Sequence, residues 1–215
     1  LPRRLQIEFS QVIQQITDTT GKELSAAESK LWIVPVDGGE KRQVSPADAE
    51  TVAYNAAVFA GDGRSAFVVT DRGAEFLDVR RLDLQTRALT GLKTSAKGDV
   101  AELALSADGR WLAFTVVQDA ARTLHLLDTR SGKERTDLKT PAGDTSGLQW
   151  HPSGELGFHV QSARIPWDVF SYDPKTNVST RWTTSETGTL KPEEMREYET
   201  IRWRSFDGLQ ISGIL

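Results

Sequence analysis

Leu105-Ser106-Ala107-Asp108-Gly109-Arg110-Trp111-Leu112-Ala113-Phe114 reads as the end of one apolar strand, a tight polar turn and the start of a second strand. Asp-Gly sets a short side-chain acceptor beside a residue free to take positive φ, which a short hairpin turn needs. The same signature stands 46 residues earlier as Phe59-Ala60-Gly61-Asp62-Gly63-Arg64. It returns 45 residues later as Trp150-His151-Pro152-Ser153-Gly154-Glu155. Apolar strands follow each copy, at Ser65–Thr70, Trp111–Val117 and Leu156–Val160.

A second marker keeps the same register. Apolar runs end in Asp37, Asp83, Asp128 and Asp173, at spacings of 46, 45 and 45, and a polar turn follows each. An Asp there accepts backbone N–H bonds within its turn. Each unit therefore reads as four short antiparallel strands, most clearly Val100–Leu105, Trp111–Val117, Thr123–Asp128 and Glu134–Lys139. Four strands per 40–50 residues is the period of a β-propeller blade. Complete units span Thr51–Lys93, Asp99–Lys139 and Ser146–Thr183, and a partial one has strands near Leu31–Val36 and Lys41–Val44. Its inner part falls in Leu5–Ile16, while the polar Thr17–Ser29 does not fit the period. The expected fold is all-β, a partial propeller of about 3.5 blades over 1–183. Because the first unit is the weakest match, a larger ring cut open is expected rather than a closed four-bladed one.

Composition narrows the chemistry. No Cys occurs among the 215 residues, which removes disulfides, iron–sulfur clusters and thiol catalysis. Net charge is −4, which argues against a nucleic-acid surface. Apolar runs stay short of the roughly 18 residues that a membrane helix needs. Pro2-Arg3-Arg4 precedes no apolar stretch, as a signal peptide would require. The missing initial Met, and an end inside an apolar run, suggest a piece of a longer chain.

The repeat stops after Trp182. Residues 184–198 read as a linker with a short helical turn at Pro192-Glu193-Glu194-Met195-Arg196-Glu197. Residues 199–215 read as a hairpin, Glu199–Ser205 and Leu209–Leu215 around Phe206-Asp207-Gly208.

Leu105–Phe114 resembles the PD40 blade of WD40-like propellers, with Ala107 where Pro is usual. Such blades occur in the translocation protein TolB and its relatives, which bind partners. They also occur in the S9 prolyl oligopeptidase and acylaminoacyl peptidase-like family, whose propeller covers an α/β-hydrolase domain. Ile201-Arg202-Trp203-Arg204-Ser205-Phe206-Asp207-Gly208-Leu209-Gln210-Ile211-Ser212-Gly213 looks like the segment where S9 peptidases pass from propeller to hydrolase. Ser162–Val169 and Ser185–Gly188 also resemble bacterial members of that family. The resemblance implies a serine peptidase acting on short peptides, with the propeller as filter and lid and the C-terminal hydrolase domain as its partner. No cofactor is implied. The family's G-x-S-x-G nucleophile motif is absent, so no catalytic residue is expected within 1–215. A TolB-like propeller that binds a protein is the alternative. The compartment stays open between cytoplasm and periplasm.

Three loops between second and third strands gather on one face of a propeller: Asp71–Glu75, Gln118–Arg122 and Ser162–Trp167. Arg164, Trp167 and Glu75 are the candidate gate or substrate contacts there, against a default of solvated surface. His125, His151 and His159 read as structural, and the recurrent Asp residues as turn caps rather than a calcium ladder. Trp32, Trp111, Trp150 and Trp182 are expected to pack between blades. The open blade faces of a cut ring would invite association into an oligomer.

Overall fold

The computed structural model describes residues 5–11, 29–47, 50–119, 121–197 and 199–215. It falls into two compact units, Leu1–Lys93 and Thr94–Leu215. Among the described residues all regular elements are strands except one 3-10 turn, Pro192–Glu194, where the helical turn was expected.

The first unit opens with the antiparallel sheet β1 (Leu5–Gln11), β2 (Ser29–Pro35) and β3 (Arg42–Gln43). The expected continuation into 12–16, and residues 17–28, lie outside the described residues. Next comes a four-stranded sheet, β4 (Tyr54–Phe59), β5 (Ser65–Thr70), β6 (Asp78–Asp83) and β7 (Leu89–Gly91). The second unit holds β8 (Asp99–Leu105), β9 (Trp111–Gln118), β10 (Ala121–Asp128) and β11 (Lys133–Arg135). It continues with β12 (Asp144–Trp150), β13 (Leu156–Gln161), β14 (Asp168–Asp173) and β15 (Val178–Arg181). A hairpin, β16 (Thr200–Arg204) and β17 (Gln210–Ile214), ends the chain. All three four-stranded sheets are antiparallel meanders that resemble propeller blades.

The repeat is visible in the turns. Gly63, Gly109 and Gly154 join first to second strand in their sheets, with φ of 65°, 69° and 94°. Each donates its N–H three residues back, to Ala60, Ser106 and His151. Gly109→Ala should lower stability by about 1–2 kcal/mol, the cost of a Cβ in left-handed backbone. Gly109→Asn should lower it less, because Asn tolerates that region. Urea unfolding measures both, and two unchanged midpoints would refute the requirement for glycine. Three of these aspartates cap as expected: Asp83 accepts Gln85 and Thr86 N–H, Asp128 accepts Arg130 and Ser131, and Asp173 accepts Lys175. The first strand of each four-stranded sheet also carries a register shift, between Tyr54 and Ala56, Val100 and Glu102, and Ser146 and Gln149.

Sheets stack through alternate residues. In the first unit Leu31, Ile33 and Val44 meet Tyr54, Ala66, Val68 and Leu82. In the second, Ala113 and Leu126 meet Leu156, Phe158, Val160, Phe170 and Tyr172. Polar bonds fix the register of that joint. The Trp150 indole donates to the Ala104 carbonyl (3.2 Å), and Leu148 N–H to Glu102 (3.0 Å), each across 46 residues.

The fourth strand of this unit is shorter than its expected span, Glu134–Lys139. Residues beyond Arg135 turn instead to the next sheet. Asn177 donates to the Asp137 carbonyl and Ser179 to that of Lys139, while Arg135 donates to Tyr172 and Pro174. Their backbone groups serve the joint rather than the ladder.

Candidate functional site

The β13–β14 loop is built around Ser162. Its backbone N–H donates to the Ile165 carbonyl (2.7 Å), and its hydroxyl accepts N–H bonds from Arg164 and Ile165 (3.2 Å each). Ile165 packs into the core of the second unit, and this anchors the loop. Arg164 stays exposed and donates through Nε to the Met195 carbonyl (3.0 Å), with Glu197 3.5 Å away. It is thus tied to the segment leading into the terminal hairpin. Trp167, 47% exposed, stacks on His159 with ring centroids 5.2 Å apart. Its carbonyl accepts the Ser185 hydroxyl (3.3 Å). The structure therefore brings Arg164 and Trp167 onto one loop. Glu75 lies in the first unit, exposed on the β5–β6 loop beside Phe76. Of the third loop little remains, because β9 and β10 run on and leave only residues 119 and 120 between them. Asp119, at positive φ, pairs with Arg202 of β16.

Asp168, next to Trp167, was not singled out by its sequence. Its carboxylate is wholly buried and takes bonds from Arg181, Thr183 Oγ1 (3.0 Å), Ser185 N–H (2.8 Å) and Ser185 Oγ (2.9 Å). Burial alone would raise its pKa, but the Arg181, Ser185 and Thr183 bonds outweigh this and lower it. An unpaired buried carboxylate would be costly, so this knot fixes where the chain leaves β15.

A hydroxyl and a carboxylate gather around His125. Its Nδ1 is 2.5 Å from Glu134 Oε1 and its Nε2 is 3.2 Å from Thr123 Oγ1. Glu134 also accepts the Ser95 N–H (2.6 Å) and hydroxyl (3.0 Å). The imidazole stacks on Phe114, and the Glu134 side chain is only 9% exposed. The set fastens β11 to β10 and to residue 95, and it satisfies a carboxylate that water barely reaches.

Trp111 and Trp150 pack at the joint of the two second-unit sheets, as expected. Trp182 does not: it is 65% exposed, and its indole donates to Ser171 Oγ (2.9 Å). Together with Gln149, Gly157, His159, Val169 and Ser171 it lines a groove of about 580 Å³ on the face of β12–β15 opposite that joint. Among the described residues no three His, Cys, Asp or Glu side chains gather to hold a metal, and no helix is long and apolar enough to cross a membrane.

No protein-family model matches the chain. A 2-isopropylmalate synthase from Parvibaculum lavamentivorans is 64% identical over 32 residues, 15% of this chain and 5% of that protein. So short a stretch carries no function across. Solved structures match far more of the chain. A puromycin hydrolase superposes with a TM-score of 0.70 at 21% identity, over 86% of this chain and 28% of that one. Prolyl oligopeptidase B from Galerina marginata gives 0.69 at 17%, over 89% and 28%. One of two prolyl endopeptidases studied for inter-domain dynamics gives 0.69 at 18%, over 86% and 27%. The chain thus has the sheet architecture of part of these hydrolases and spans little more than a quarter of their length.

Proposed function

We propose that residues 1–183 form part of the propeller of a serine peptidase that hydrolyses short peptides. In this reading the sheets filter substrate and cover a hydrolase domain, 184–198 form the linker, and 199–215 form that domain's first hairpin. The observation that carries it is the order of the parts. Meander sheets matching prolyl oligopeptidase structures lead through residues 184–198 into a hairpin turning at Phe206-Asp207-Gly208. Asp207 caps that turn by accepting Leu209 N–H (3.1 Å). Arg164 and Trp167 stand where the filter would meet the hydrolase, and Arg164 already holds the linker through Met195. Glu75 would be a further substrate contact from its own loop. Nucleophile, base and oxyanion donors would come from the hydrolase domain.

A fluorophosphonate probe tests this. Residues 1–215 alone should remain unlabelled, and a polypeptide extended through the following domain should be labelled at one serine. Labelling of 1–215 would put the chemistry within the chain. A folded extended protein that stays unlabelled would remove the peptidase reading in favour of a partner-binding propeller.

A further inference from the structure

Asp62 and Asp108 hold the same place in successive repeats, in the turn from first to second strand, yet they are used differently. Both oxygens of Asp62 are committed. Its Oδ1 accepts the Arg64 and Ser65 N–H groups, and its Oδ2 accepts the Ser65 hydroxyl (2.8 Å) and the Arg81 guanidinium (2.7 Å). In the next repeat the places of Ser65 and Arg81 are taken by Trp111 and Leu126. Asp108 Oδ1 still accepts the Ser106 hydroxyl (2.6 Å) and the Arg110 N–H (3.1 Å). Its Oδ2 takes no donor from another residue among the described residues. The Ser106 and Arg110 bonds hold this carboxyl below its ordinary range, so it is charged at neutral pH.

Asp108 lines a cleft of about 250 Å³ where the β8–β9, β12–β13 and β14–β15 turns meet. The cleft sits inside the second unit, at its closed joint, and at the other end of these sheets from the β13–β14 loop that carries Arg164 and Trp167. Its apolar walls are the rings of Trp111, Pro152 and Pro174. Two cations reach it. Lys175 has no partner for its ammonium among the described residues. Arg110 commits only Nε, to Asp128 (3.1 Å), and its guanidinium lies 5.0 Å over the Trp111 ring. The far wall is fixed: Asp173 accepts the Lys175 N–H (2.8 Å), and Arg135 donates to the Pro174 carbonyl and the Tyr172 hydroxyl. The cleft is thus formed before a ligand arrives, which lowers the cost of binding one.

An open acid, two open cations and three apolar rings in one cleft call for a ligand that carries both charges. A simple anion would meet Asp108, a simple cation would meet Lys175 and Arg110, and like charges so placed oppose binding. The volume falls below the roughly 300 Å³ at which pockets for drug-sized ligands begin, so the ligand is small. We propose that this cleft binds a free α-amino acid with an apolar side chain. Its ammonium donates to Asp108 Oδ2, its carboxylate accepts from Lys175 and Arg110, and its side chain lies against Trp111, Pro152 and Pro174. The proposal does not rest on the peptidase reading, whose fluorophosphonate test stands whichever way this one falls.

Titration of residues 1–215 with leucine, followed by amide and indole NMR signals, tests it. The Trp111 indole and the amides of 106–111 and 175–176 should shift together along one saturable curve. Leucinamide lacks the carboxylate and N-acetyl-leucine lacks the ammonium. Each should bind at least about tenfold more weakly, the effect of losing one charged hydrogen bond. Asp108→Asn keeps the Oδ1 acceptor of the turn, and Lys175→Met keeps the apolar stem. Each variant should weaken leucine binding by about the same factor. No saturable shift with leucine, shifts confined to other residues, or equal binding of the three compounds would overturn the proposal. So would either variant, folded, binding leucine as the unaltered chain does. The comparison of the three compounds needs no altered chain, so a variant that fails to fold leaves the test intact.

Discussion

Asp168→Ala should cost about 3–5 kcal/mol of stability, the range for removing one partner of a buried ion pair. The low end is expected, because the Arg181 side chain is 39% exposed and can turn to water. The loss is larger than the ion pair alone would give, because Thr183 and Ser185 lose their acceptor at the same time. Urea unfolding followed by tryptophan fluorescence reads this, and a change below about 1 kcal/mol would mean that the knot contributes only as much as an exposed pair. The pH dependence has a definite sign. The folded pKa of Asp168 is lowered, so its contribution is complete above the unfolded value, about 3.9, and is lost as pH falls through the folded value. The variant should therefore show a flatter acid limb. Some slope will remain, because Asp62, Asp108, Asp128 and Asp144 are lowered as well.

Phe158→Ala should cost a comparable amount, about 3–5 kcal/mol, because the cavity has no means of collapsing. The ring is 2% exposed and stacks on Phe170 at 6.2 Å, with Ala113 and Leu126 of the neighbouring sheet in the same cluster. Val169→Ala makes a suitable control. It removes two methyl groups from the opposite face of the same sheet, where the groove is open, and at low protein concentration it should cost under about 1 kcal/mol. Equal losses from the two variants would mean that the sheet's two faces are equally packed, which would contradict a groove on the face opposite the joint.

The parts of the fold that were legible in the sequence are those whose chemistry is local. Gly109 and Asp108 act within a single turn, and Asp128 caps residues two and three places on, so their recurrence reports the strand order directly. The site is different. Ser95 reaches Glu134 across 39 residues, and Arg164 reaches Met195 across 31, and no periodicity links such pairs. Asp168 looks like any polar residue at a strand start until its burial is known. The one available signal was the company it keeps: Arg181, Thr183 and Ser185 follow on alternate positions, as donors facing one acceptor would. Trp182 shows the converse error. Its place at a strand end is legible, but whether a neighbouring sheet covers it depends on what stands beside β12–β15.

The Asp168 knot also has a mechanical consequence. Tension applied to the terminal hairpin would pull first on its exposed attachments, Arg202 to Asp119 and Arg164 to Met195, both held by single side chains at the surface. These would yield early and let the hairpin swing. The load would then reach residues 183–185, where it meets a carboxylate sealed from water and bonded to several donors at once. Force would pass from there into β14 along its length, spread over the ladder with β13 and β15. The tether is therefore compliant at its outer end and stiff at its root, so the hairpin can be displaced while the sheet that carries it stays whole.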